Sequence, residues 1–422
     1  MKKTIVAIAT TIACITFTAA NATPLPEAKP DDVGFSQAGL ARMDDFFARE
    51  IAAKRVPGAV VAVARDGKLV LYKAYGKLDP AKDTAMPLDA VFALASMTKP
   101  MATVAGLTLM EQGRLPLQSK LADYYPGFAD MKVAAPQADG SIRLEPQASP
   151  IHIHDLYRHT SGLIYGGRAD SPNPVAQLYP GGITPAIDGD TEAFIGRITA
   201  LPLVHQPSTE FEYGFSIEVL GAVIEKVSQQ HLGDYLAAHV WGPLGMKEAT
   251  FHPADAQRAR FARPFANDPL TGKPQAIKLQ DTPTKFDCGG ACSFATVGDY
   301  IRFGQMLVNG GELDGQRILS PETVRLMTSN HLGPEIKNKV ANIEPHLGGF
   351  SFGLGVAVRT HEGLASVPGN PGEFTWNGAY GTQFFCDPKE HLVVVVGTAA
   401  PGDIRKYYRE QVQDIVYGAM TR

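Results

Sequence analysis

The chain has 422 residues, 45% of them hydrophobic and 19% charged, with 39 basic side chains against 43 acidic ones and a net charge of −4. That composition is too apolar for a disordered protein and shows no collagen-like or low-complexity bias. The near-neutral balance, without Lys/Arg blocks, argues against a nucleic-acid partner, because phosphate binding needs a concentrated basic face.

Lys2 and Lys3 precede an apolar run over 5–20, and Ala20-Asn21-Ala22 fits the small-x-small rule for signal peptidase. Residues 1–22 read as a signal peptide cleaved before Thr23. A membrane anchor fits less well, since the run is short and Thr-rich, and lipid attachment at Cys14 would place Thr11 where an aliphatic residue is wanted. Losing Lys2 and Lys3 leaves 37 basic against 43 acidic residues, a net charge of −6. No later stretch has the length and apolarity of a bilayer span, so the expected mature protein is soluble and periplasmic or secreted.

Ser36 caps an expected amphipathic helix over 37–54, with Leu40, Met43, Phe46, Phe47 and Ile51 at helical spacing. Strand patterns over 59–64 and 69–74 flank Arg65-Asp66-Gly67-Lys68, the strongest hairpin signal in the chain. From about 95 to 303 the pattern is mainly helical, broken by loops rich in Pro and Gly. Strand patterns return over 350–358, 374–385 and 392–396, and a last amphipathic helix covers 403–417. An isolated hairpin is marginal in water, so the strands at the two ends of the chain should join in one antiparallel sheet. The expected fold class is α+β: an antiparallel sheet flanked by the terminal helices, with a large, mainly helical inserted domain. The sheet domain takes 23–92 and 340–422, the helical domain 93–339, and the active site lies between them.

Ser96 and Lys99 open a helix and are three residues apart, which puts their side chains on one face about 5–6 Å apart at Cβ. A buried Lys loses its proton readily and can then take one from a neighbouring hydroxyl. The free N–H groups at a helix N-terminus stabilise the negative charge of acyl transfer. Ser-x-x-Lys alone recurs by chance, but the apolar lead-in at 91–95 argues against a surface helix.

Ser96-Met97-Thr98-Lys99-Pro100, His159-Thr160-Ser161-Gly162-Leu163, Tyr213, and Trp376-Asn377-Gly378 with Ala379-Tyr380-Gly381-Thr382 occur in that order. Together they resemble the serine β-lactamase and penicillin-binding superfamily, and most of all its class C β-lactamase-like carboxylesterases, the family VIII esterases. The resemblance spans nearly all of the mature chain and implies a β-lactamase/transpeptidase-like fold. It implies Ser96 as nucleophile, Lys99 and Tyr213 as proton carriers, and the backbone N–H groups of Ser96 and Ala379 as oxyanion hole. Phe215, Trp376, Asn377 and Gly378 are implied as substrate-binding, with Gly378 letting substrate approach the strand.

Two places depart from the superfamily pattern. Phe215 stands where the Tyr motif carries an amide or other polar residue, leaving Ser216 as a polar substitute. Trp376 stands where β-lactamases carry the Lys of Lys-Thr-Gly, similar to the Trp-Gly-Gly of the esterase branch. The implied activity is therefore an exported serine hydrolase that cleaves short-chain or other neutral esters, small molecules, through an acyl-enzyme on Ser96. No metal or organic cofactor is implied. A class C-like β-lactamase, a D-amino-acid peptidase and a penicillin-binding sensor that acylates without turnover would use the same machinery. The missing Lys at Trp376 tells against the first two.

Other candidates carry less chemistry. Cys288-Gly-Gly-Ala-Cys292 is spaced to close a small disulfide loop, as suits an exported protein, whereas a two-Cys metal site would lack a second Cys or His pair nearby. Cys386, in an apolar run, reads as a buried thiol. His159 and Ser161 are two apart and face different ways, so that segment reads as a structural turn. Gly349-Phe350-Ser351-Phe352-Gly353 matches a nucleophile elbow formally, but Ser351 falls in mid-strand. His152 and His154 point the same way if extended, yet lack a third ligand.

Overall fold

The computed structural model describes residues 24–166 and 174–421. The expected signal peptide, 1–22 with Cys14, lies outside the described residues. Helix α1 (Gln37–Ala52) starts where the sequence places it, with the Ser36 hydroxyl accepting from the Gly39 N–H at 3.1 Å. Strands β1 (Gly58–Arg65) and β2 (Lys68–Asp79) form the expected hairpin. Its central residues Asp66 and Gly67 take φ of 52° and 74°, the left-handed pair that a type I′ turn requires.

After β3 (Thr84–Ala85), the remaining strands of the large sheet come from the end of the chain. They are β4 (Phe350–Phe352), β5 (Ala357–Arg359), β6 (Phe374–Asn377), β7 (Gln383–Asp387) and β8 (Leu392–Thr398). The 350–358 and 374–385 patterns thus each fold as two strands. Small residues at alternate positions imitate the period of a strand, but the backbone turns at Gly355, where φ is 71°.

The sheet has eight strands in the order β4-β5-β6-β7-β8-β1-β2-β3, with every neighbouring pair antiparallel. The two ends of the chain meet at β1 and β8, in a register running from Ala59 opposite Thr398 to Arg65 opposite Leu392. Four more helices matter to the site: α2 (Thr98–Glu111), α3 (Ser216–Ser228), α4 (Val297–Val308) and α5 (Ile404–Gly418).

Both faces of the central strands are covered, which is why β1 and β8 read as continuous apolar runs. On one face Ala59, Val61, Val63, Val394 and Val396 pack with Leu40, Met43 and Phe47 of α1 and Val412 and Val416 of α5. On the other, Val60, Ala62, Ala64, Val393 and Val395 join the core that contains Ile301 and Phe303 of α4 and the apolar residues of α2 and α3. Each of these buried valines contributes roughly 1.5–3 kcal/mol. The terminal helices therefore flank an antiparallel sheet as expected, and most of the segment between β3 and β4 is helix and loop. That segment also contains a hairpin the sequence did not announce, Lys132–Pro136 with Ile142–Pro146. Among the described residues no helix is long and apolar enough to cross a membrane.

Candidate active site

The approach to α2 is a short ladder, Phe92–Ala93 paired with Phe294–Ala295, followed by a sharp turn at Ala95. Ala95 has φ of 46°, a left-handed conformation that costs a residue with a Cβ about 1–2 kcal/mol. The strain is spent on presenting Ser96 at the head of the helix. Tyr213 lies just before α3, and its hydroxyl donates to Ser96 Oγ at 2.7 Å. Lys99 Nζ reaches the same oxygen at 3.4 Å and sits 4.8 Å from the centre of the Tyr213 ring. Ser96, Lys99 and Tyr213, scattered over more than a hundred residues of sequence, thus form one hydrogen-bonded group.

Lys99 is fully buried, yet its ammonium group has acceptors besides Ser96. It donates to the Tyr165 hydroxyl at 2.9 Å and to the Gly290 carbonyl at 2.7 Å. The Tyr165 hydroxyl in turn donates to Glu218 on α3. Tyr165 and Glu218 were not picked out by sequence reasoning. Glu218 did leave a signal, a lone carboxylate inside the apolar run Ser216-Ile217-Glu218-Val219-Leu220, all of it buried. Burial pushes its carboxyl up, against the opposing pull of Lys99. Burial also holds the Tyr165 phenol well above its ordinary value, with Glu218 adding to the effect.

These groups open onto a cavity of about 610 Å³ between the helical segment and the β6 end of the sheet. Ser96, Tyr213, Trp376, Asn377, Gly378 and Ala379 all line it, so Ser96 and Ala379 face one space. Trp376 is 2% exposed and packs edge-on against Tyr213 and Phe352, its indole N–H 3.3 Å from the Tyr213 oxygen. It is both a core aromatic and a wall. Asn377 donates to Glu344 at 3.3 Å. The cavity is not free of cations: Arg405 and Lys406, at the start of α5, stand at its edge. Lys406 pairs with Asp403 at 3.2 Å and Arg405 donates to the Pro401 carbonyl at 2.8 Å.

Two expectations for this region need correction. Phe215 does not line the cavity; it is fully buried behind Tyr165 and packs on Tyr165, Tyr179 and Phe194. Ser216 offers the cavity no polar substitute, because its hydroxyl pairs with Ser161 at 2.9 Å inside the core. Gly378 lines the cavity and also makes room for the protein itself: a Cβ there would overlap the Thr382 hydroxyl and the Leu94 carbonyl. Those two groups hydrogen-bond at 3.1 Å and tie the turn between β6 and β7 to the turn before Ser96.

The remaining candidates fall away from the chemistry. Ser161, buried, also accepts from the Leu163 N–H at 3.2 Å, as a turn residue does. His159 is buried among Phe211, Tyr213 and Phe352, and burial with the Lys99 charge pushes its pKa well below the ordinary value. Ser351 lies in β4 and bonds Asn330. His154 pairs with His331 at 2.9 Å. Cys386 is buried against the Gly304 carbonyl.

Cys288 and Cys292 are disulfide-bonded, their Cα atoms 5.3 Å apart. The bond closes the loop that carries Gly290, whose carbonyl holds Lys99. By the chain-entropy model so short a loop adds only about 2 kcal/mol. Reduction is therefore expected to leave the fold in place while lowering activity, as the Gly290 carbonyl loses its fixed position. Activity and circular dichroism recorded with and without a phosphine reductant check this. Two free thiols at these positions in protein taken from an oxidising compartment would show that the bond does not form.

A family model described as Beta-lactamase matches residues 43–416. The chain is 34% identical over 349 residues to Protein Rv1367c of Mycobacterium tuberculosis, covering 80% of this chain and 84% of that one. It is 29% identical over 386 residues to esterase EstB of Burkholderia gladioli, covering 85% and 90%. Among solved structures, EstCE1, described as a hydrolase with promiscuous acyltransferase activity, superposes with a TM-score of 0.74 at 26% identity, covering 90% of this chain and 99% of that one.

Proposed function

The chain belongs to the beta-lactamase family and is a serine hydrolase, and from that premise we propose that it cleaves small neutral esters through an acyl-enzyme on Ser96. The observation that carries the reading is the Ser96 hydroxyl at the floor of a cavity, bonded at once by Tyr213 and Lys99. Once Lys99 is neutral its contact with Ser96 runs the other way, and the amine draws the proton as Oγ attacks the ester carbonyl. The carbonyl oxygen, now charged, is held by the N–H groups of Ser96 and Ala379. Tyr213 delivers a proton to the departing alcohol, and water, activated by the same groups, releases the acid.

The preference for esters rests on Trp376, a large apolar face where a carboxylate-binding Lys would stand. Of the cations that line the cavity among the described residues, Lys406 pairs with Asp403 and Arg405 donates to the Pro401 carbonyl. The names of EstB and EstCE1, an esterase and a hydrolase, support the same reading. Export to the periplasm or beyond belongs to this proposal too. It is supported by the charged, apolar and small-residue sequence of 1–22 and by the Cys288–Cys292 bond.

Purified protein assayed side by side on p-nitrophenyl esters and a chromogenic cephalosporin tests the reading. The expected result is much higher kcat/KM on short neutral esters. The double variant Trp376→Lys with Asn377→Thr should narrow the gap, weakening ester binding and gaining a carboxylate contact worth about 1.5–3 kcal/mol. An unmodified enzyme that prefers the cephalosporin would remove Trp376 as the determinant.

A further inference from the structure

We propose that Tyr165 and Glu218 form a proton relay that unloads Lys99, so that a buried carboxyl rather than solvent holds the proton Lys99 must lose before it acts. The inference rests on the reading of Ser96 as nucleophile and Lys99 as its base. The three side chains are linked in series: Lys99 Nζ to the Tyr165 hydroxyl at 2.9 Å, and that hydroxyl to one oxygen of Glu218. Lys99 and Glu218 are each fully buried, and the second oxygen of Glu218 has no hydrogen-bond partner among the described residues. Glu218 also lines the cavity, so this orphaned oxygen belongs to the site rather than to the distant core. The backbone at Gly290 is pressed against the carboxyl so closely that a Cβ there would overlap it. Only Gly lets one loop hold Lys99 by its carbonyl and Glu218 by contact.

The transfer balances. One N–H bond of Lys99 breaks as an O–H bond forms on Tyr165; the original Tyr165 O–H breaks as one forms on Glu218. No electrons leave, and the charged pair Lys99⁺/Glu218⁻ becomes the neutral pair Lys99/Glu218-H. The transfer removes two charges from a fully buried pair without contact with water. Raising of the Glu218 carboxyl by burial works in the same direction.

Among the described residues, the other titratable groups around the relay do not compete for the proton. Tyr213 faces Lys99 from before α3 through its ring and gives its hydroxyl to Ser96. His159, behind Tyr213, is kept neutral by burial and by the Lys99 charge. Glu225, farther along α3, accepts from Thr191 and the Leu232 N–H, and Asp287, before the disulfide loop, pairs with His252.

The test follows the rate of Ser96 labelling by a fluorophosphonate, and of p-nitrophenyl ester hydrolysis, against pH. Glu218→Gln still accepts from Tyr165 but cannot take a proton. Lys99 must then release its proton to solvent, so the acid limb should rise by about one pH unit or more and the rate at pH 7 fall by about tenfold or more, recovering at alkaline pH. Tyr165→Phe, which keeps the carboxylate and cuts only the link, should shift the limb in the same direction. A merely structural role would scale the rate and leave the limb in place, and that result in either folded variant overturns the relay. Should neither variant fold, the unmodified protein decides: its acid limb should show the near-zero ionisation enthalpy of a carboxyl, and the large enthalpy of an amine overturns the relay. Ser96→Ala separates the two ideas. Labelling that persists in that variant defeats the nucleophile assignment, whereas labelling confined to Ser96 with unshifted limbs defeats the relay alone.

Discussion

Ser96→Ala is expected to lower ester hydrolysis by roughly 10⁴-fold or more while leaving the fold unchanged. The hydroxyl it removes is the meeting point of Tyr213 and Lys99. The packing cost is small, because Ala occupies the helix-opening position without strain beyond that already present at Ala95. Ser161→Ala and Ser351→Ala should keep a large share of activity. Their hydroxyls are committed to Ser216 and Asn330, away from the Ser96 group. Peptide mapping after fluorophosphonate treatment should place the adduct on the Ser96 peptide; an adduct on Ser351 would overturn the assignment.

The largest loss of stability is expected at Arg409, on α5. This guanidinium is 1% exposed, pairs with Glu344, and donates to the carbonyls of Gly378 at 2.5 Å and Thr382 at 3.0 Å. It thus clamps the turn between β6 and β7, the segment that brings Ala379 beside Ser96. Arg409→Met would leave Glu344 buried beside Asn377 and a neutral His346, whose pKa burial lowers to about 4. Removing one partner of such a pair costs about 3–5 kcal/mol. Urea denaturation at neutral pH should show that loss, with reduced kcat in the protein that remains folded. The pH dependence has a definite sign. Burial pushes the Glu344 carboxyl up, but Arg409, together with His346 and Arg405, more than offsets this and holds it below its ordinary 4.5. The pair's contribution is therefore present above that value and lost as pH falls through the lowered folded-state value. In the variant the carboxyl can protonate, so the difference between the two proteins should shrink on acidification. A difference that is constant with pH would mean that the charge pair is not what Arg409 contributes.

The parts of this arrangement that sequence reasoning found are those with local or motif-like signals. The Asp66-Gly67 turn and the Ser36 cap are set by single residues whose backbone and side-chain chemistry act over a few positions. Ser96 and Lys99 were found by spacing and, with Tyr213, by resemblance, and the structure brings Lys99 and Tyr213 within hydrogen-bonding reach of Ser96. Tyr165 sits in a loop without periodicity, and its place between Lys99 and Glu218 comes from tertiary packing that no local pattern encodes. Gly290 acts through a carbonyl, which every residue carries. Phe215 misled because a motif position was equated with a direction: at the start of α3 its side chain turns into the core, and the role of facing Lys99 falls to Glu218, three residues on and almost one turn of helix away.

The pairing of β1 with β8 has a consequence for the order in which the molecule assembles. Ala59 finds its partner only at Thr398, so the centre of the sheet cannot close until nearly all of the chain is available. Contacts that far apart pay a large loop-closure entropy before any burial rewards them, which makes folding slow. Until then the hairpin of β1 and β2 presents a bare, valine-rich edge, the kind of surface that pairs with other chains. The interval before β8 arrives is thus the one in which the chain is most open to pairing with other chains.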